Sequence, residues 1–175
     1  MGRIRFLAAI LLFALEPGGT SLISAWAQQK DYLTSIEADR IRDAETSNDR
    51  IKLFIAFAAD RLKKFEYELS RIATDRRRAE RLNSLLNAYA SCVDDATELI
   101  DVGREKQEDI RAGIKEMQKK GKEFLGTLER VAASSGDIEP FKDTLDDAIQ
   151  STKEALAGAE QAAKEIAPPP VRRRP

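Results

Sequence analysis

Apolar side chains recur along the middle of the chain at alternating spacings of four and three. The positions are Leu82, Leu86, Tyr89, Val93, Ala96, Ile100, Gly103, Gln107, Ile110, Ile114, Met117, Gly121, Phe124, Leu128 and Val131. Twelve of the fifteen are apolar, all but Gly103, Gln107 and Gly121, so a seven-residue repeat keeps its phase throughout. It predicts one long central helix over about 75–133, whose stripe alone would run roughly 75 Å at 1.5 Å per residue. A second stripe, Ile51, Ile55, Ala58, Leu62, Phe65, Leu69 and Ile72, predicts a helix over about 49–72. Leu53, Phe54 and Phe57 broaden its start beyond a single seam, so the preceding segment is expected to fold back there.

The two stripes do not share a phase. Continuing from Ile72 lands on Arg76, Ala79 and Asn83, so a turn is expected at Ala73-Thr74-Asp75, with Thr74 or Asp75 as cap. Upstream, Thr34-Ser35-Ile36-Glu37 fits a capping box, opening a short helix over about 34–44 with Ile36 and Ile41 on its apolar side. Thr46-Ser47-Asn48-Asp49 reads as a turn and a fresh N-cap. Downstream, Ser134-Ser135-Gly136 closes the long helix and Asp137 caps the last one, over about 138–166. Its stripe is Ile138, Phe141, Leu145, Ala148, Thr152, Ala155, Ala159, Ala162 and Ile166. Pro168-Pro169-Pro170 stops it. No alternating apolar–polar run appears, so no sheet is expected.

The expected fold is all-α: an elongated antiparallel bundle, or coiled coil, built on the central helix. Leu85, Cys92 and Leu99 widen its first half, to be covered by 34–72; Lys106, Gly113, Lys120 and Thr127 narrow its second half, to be covered by 138–166. The alternative reverses the chain at Gly103. Pieces 49–72, 75–102, 104–133 and 138–166 would then make an up-down-up-down four-helix bundle. The unbroken phase favours the continuous helix, and one glycine is a short connection between helices.

The first residues read as a secretory signal peptide. Arg3 and Arg5 precede the apolar run Phe6 to Leu15, and Ala25-Trp26-Ala27 supplies small residues before a cut between Ala27 and Gln28. Ten apolar residues are too few for a membrane-spanning helix, which needs about 20. The expected organisation is a signal at 1–27, an N-terminal segment at 28–48, a bundle domain at 49–166 and a disordered Pro/Arg-rich tail at 167–175. The expected location is the periplasm or the exterior.

Charge and composition narrow the chemistry. The 175 residues carry 29 Lys+Arg and 30 Asp+Glu, a balance unlike the strongly basic domains that bind nucleic acid. The chain has no histidine, which removes the commonest general base and transition-metal ligand. One cysteine builds neither a thiolate metal site nor an internal disulfide. No Gly-rich phosphate loop is present. No catalytic residue, cofactor or metal is therefore assigned. The acidic groups Asp94, Asp95, Glu98 and Asp101, like Asp143, Asp146 and Asp147, read as solvated faces.

Three features point outward. Arg76, Arg77, Arg78 and Arg81 form a basic patch that could meet an anionic partner, although at a helix start they oppose the macrodipole. Arg172, Arg173 and Arg174 offer weak contact with an anionic envelope surface. Cys92 falls beside the seam, either buried and inert or available for an intermolecular disulfide. Leu33-Thr34-x-x-Glu37 is similar, over five residues, to the Leu-Thr-x-x-Gln repeat of the Spy/CpxP family of periplasmic helical proteins. That resemblance implies a chaperone-like or stress-adaptor role. The leading expectation is an exported, non-enzymatic helical protein that acts through contact with a protein partner, a second copy or an envelope surface. A carboxylate-dependent enzyme is the remote alternative.

Overall fold

The computed structural model describes residues 30–71, 75–134 and 137–166. The signal region 1–27 with its Ala27–Gln28 cut, and the tail with Arg172, Arg173 and Arg174, lie outside the described residues. So do Ile72, Ala73, Thr74, Ser135 and Gly136. Among the described residues every regular element is helical, as the sequence periodicity predicts: α1 (Ser35–Asp43), α2 (Ser47–Ser70), α3 (Arg78–Glu105), α4 (Arg111–Ala132) and α5 (Lys142–Glu165).

Local chemistry sets most boundaries. Thr34 caps α1 with the full reciprocal box: its hydroxyl accepts from Glu37 N, and its own N–H donates to Glu37 Oε2 at 2.8 Å. Thr46 caps α2 by accepting from Asp49 N at 3.1 Å, so this helix begins at Ser47, two residues before the expected start. Asp75 does not cap α3 directly; its carboxylate accepts from Arg77 N at 3.0 Å, and α3 starts at Arg78. Pro140 holds the last helix entry in a 3-10 turn (Glu139–Phe141), so α5 begins at Lys142 rather than near residue 138.

The continuous central helix is not what the chain builds. The stripe breaks between Glu105 and Arg111, and the chain reverses there. The end of α3 is a Schellman motif: Glu108 N donates to Gly103 O at 2.9 Å and Gln107 N to Arg104 O at 3.1 Å. Gln107 takes the left-handed conformation at φ 54°, where glycine is the usual residue. Gly103 is needed for a different reason. A Cβ there would lie 2.8 Å from Ile110 Cγ2, so the returning chain packs directly on its backbone. Ile110 re-enters the core seven residues after Gly103, and the repeat therefore keeps its count through a reversal. Fourteen of the fifteen stripe positions are buried; the exposed one, Gln107, marks the turn.

The result is a four-helix bundle with α1 on its outside. α2 and α5 each lie beside both α3 and α4. The latter two occupy opposite corners and meet through side chains, with the Tyr89 and Phe124 rings 5.7 Å apart. Ile51 against Gly113 and Glu66 against Arg130 show that α2 and α4 run parallel. Tyr89 against Thr152 and Arg104 against Glu165 show the same for α3 and α5. The core runs the length of the bundle, from Phe65 and Phe141 at one end to Ile51 and Ile110 at the other. α1 contributes no buried residue, and Ile36, expected on its apolar side, is 72% exposed.

Candidate interaction surfaces

The arginine patch divides by role. Arg81 donates to Glu68 Oε1 from Nε (3.0 Å) and Nη2 (2.7 Å), and to Asp75 Oδ2 from Nη1 at 2.7 Å. Arg78 donates to Leu69 O at 2.7 Å, at the C-terminal end of α2. These two side chains therefore face the negative pole of α2, which offsets their position at the positive pole of α3. Arg81 holds the buried Glu68 carboxyl below the usual carboxylate range. Arg76 and Arg77 are exposed on the turn.

A second charged cluster fastens α1. Arg61, 6% exposed in the middle of α2, donates to Glu37 from Nη1 (2.7 Å) and Nη2 (2.6 Å), to Tyr32 O at 3.1 Å and to Asp60 Oδ2 at 2.8 Å. Nearby, Lys30 pairs with Asp95, and its ammonium stands over the Phe54 ring. The bidentate guanidinium contact holds the Glu37 carboxyl down at about 2. So the Glu37 of the five-residue Leu33-to-Glu37 motif is occupied in capping and anchoring α1. Burial, outweighing Lys30, pushes Asp95 up.

Cys92 is completely buried, and burial pushes its thiol up to about 12. A disulfide between chains would require the core to open, because the sulfur has no surface in this fold. Tyr89 is likewise buried and raised by burial; it lies 2.7 Å from the Thr152 hydroxyl, which donates onward to Ala148 O. Neither group is activated as a nucleophile.

Concavities open between helices on the surface of the described residues. One, of about 590 Å³, lies between α1 and the start of α2, with Arg40, Asp43, Glu45, Asp49 and Lys52 in its walls. Another, of about 330 Å³, is a furrow between α3 and α5 walled by Asp94, Glu98, Asp101, Glu105 and Glu154, with Val102 and Ala155 on its lining. Asp94 accepts from Ser151 across it, and Asp101 pairs with Arg104 at 3.3 Å. Among the described residues no group of three acidic or thiol side chains could hold a metal ion, and no helix is long and apolar enough to cross a membrane.

On the opposite corner α4 presents the reverse charge. Lys115, Lys119 and Lys122 are exposed at spacings of four and three, in line with Arg111. This basic stripe repeats at the same helical spacing as the apolar one, on the other side of α4, so only the spacing of the charged residues reveals it. Comparison with protein-family models, curated proteins and solved structures finds no match.

Proposed function

We propose that this is an exported, non-enzymatic helical protein that works by holding another macromolecule against its charged outer faces. The observation that carries the reading is the segregation of charge on a closed bundle. Six acidic against three basic residues lie on α3, and six basic against three acidic on α4. Faces of one sign steer a partner and fix its register more than they add raw affinity. The core supports the same reading: its polar members are paired internally, and its thiol and phenol are held protonated. The N-terminal pattern of Arg3, Arg5 and the apolar run supports export.

The test is affinity purification of the tagged chain from its own host envelope under low salt, followed by mass determination of the eluted species. A complex of fixed stoichiometry is expected. A monomer with no co-purifying macromolecule overturns the reading.

A further inference from the structure

We propose that the protein associates side by side with further copies of itself, the basic face of α4 on one molecule seating on the acidic α3/α5 furrow of the next. The proposal deepens the partner-binding reading above and rests on it. Three observations carry it.

The first is complementarity. The furrow is concave and acidic, with Asp94, Glu98, Asp101, Glu105 and Glu154 around it. The α4 face carries exposed lysines on flexible stems, whose methylenes can cover Val102 while the ammonium groups reach the carboxylates. The whole chain is nearly neutral, at a formal charge of −1, so copies do not repel one another as a body.

The second is position. α3 and α4 stand at opposite corners of the bundle, so a molecule cannot bring its own α4 face to its own furrow. A contact between these two faces is therefore a contact between two molecules.

The third is register. Both faces start at the same turn, residues 106–110, and run away from it toward the level where Tyr89 meets Phe124. Counted from the level where Tyr89 meets Phe124, Asp94, Glu98 and Asp101 lie about 7.5, 13.5 and 18 Å along the axis toward the turn, and Lys119, Lys115 and Arg111, the last already paired with Asp109, lie about 7.5, 13.5 and 19.5 Å along it. A neighbour displaced sideways, with no shift along the axis, therefore sets Lys119 level with Asp94 and Lys115 level with Glu98. The two faces differ, so the contact is heterologous and repeats from copy to copy instead of closing as a two-fold dimer. Single exposed ion pairs are weak, which makes this association reversible and salt-sensitive.

The experiment is sedimentation velocity on the full chain as isolated, with two charge-reversed variants. One carries Lys115→Glu, Lys119→Glu and Lys122→Glu; the other carries Glu98→Lys, Glu105→Lys and Glu154→Lys. All six positions are exposed, and helix content by circular dichroism checks folding. Wild type should form species larger than a dimer at low salt. Its apparent Kd should rise about tenfold or more between about 0.05 M and about 0.5 M salt, as screening shortens the reach of the charges. Each variant alone should be monomeric, and an equal mixture should regain the wild-type species, because every reversed face then meets its opposite. Wild type that stays monomeric at low salt overturns the proposal. So does association indifferent to salt, or a mixture that stays monomeric. In any of these cases a defined partner in the affinity purification leaves the partner-binding reading standing.

Discussion

Arg61 shows how a buried charge is kept inside a small bundle. Its guanidinium meets two carboxylates and a backbone carbonyl, so its donors are largely used where water is excluded. Glu37 is the more informative partner for a pH test. Its carboxyl is held at about 2, below the ordinary 4.5, so its contribution is fully present above about pH 4.5. It is lost as the pH falls toward 2. Leu33 methyl shifts in an NMR acid titration should therefore report release of α1 in that window, and Arg61→Leu should move the release to higher pH. The glycines separate cleanly by what faces them. Gly126 has open space around it, so Gly126→Ala should stabilise by about 0.5–1 kcal/mol in urea unfolding, from helix propensity. At Gly103 the new methyl would meet the stiff, fully buried Ile110, so Gly103→Ala should cost about 1–3 kcal/mol. The need for glycine there comes from a residue seven positions on, which only the reversed chain brings back.

At the scale of elements, the start of α4 is secured by another helix. Ile110 occupies its N-cap position without a side-chain bond, and Asn48 near the start of α2 supplies the acceptor instead: Gly113 N donates to Asn48 Oδ1 at 2.7 Å. Asn48 also donates to Asp109 O, and Ser47 to Glu108. Asn48→Ala should therefore lower stability by about 1–2 kcal/mol, the size of a lost N-cap, although the residue lies 65 positions from the group it satisfies. Equilibrium urea unfolding with an unchanged m value would establish this, and a loss under about 0.3 kcal/mol would refute it. The capping box of α1 was legible in the sequence because Thr34 and Glu37 are three residues apart. The cap of α4 was not, because its partner is on a different helix. The same distinction explains the reversal. Gly103 and Gln107 interrupt the apolar stripe, yet the step from Gly103 to Ile110 equals one heptad, and periodicity alone cannot tell a turn of that length from a continuous helix.

For the whole molecule, charge is sorted by corner, and the consequences are collective. The furrow and the α4 face both run from the 106–110 turn, so the two sides of the bundle differ in charge along that stretch. Export has an independent check at this scale. Trp26 is the single tryptophan and precedes the expected cut after Ala27. Protein purified from the host envelope should show tyrosine but no tryptophan emission; a tryptophan signal would mean that the chain keeps residue 26.

The sequence by itself determined that this chain is helical, where its apolar seams lie and that the starts of α1 and α2 carry their own caps, whereas Asp137, expected to cap the last helix, does not. These depend on residues within one turn of each other, and the i, i+3 and i+4 spacing states them outright. The tertiary structure alone decided where the central stripe folds back, that α3 and α4 stand at opposite corners, and that Arg61 and Asn48 fasten elements distant in the chain. Those outcomes depend on which surfaces meet after the chain reverses, and helical spacing is the same on both sides of a turn that consumes one whole repeat.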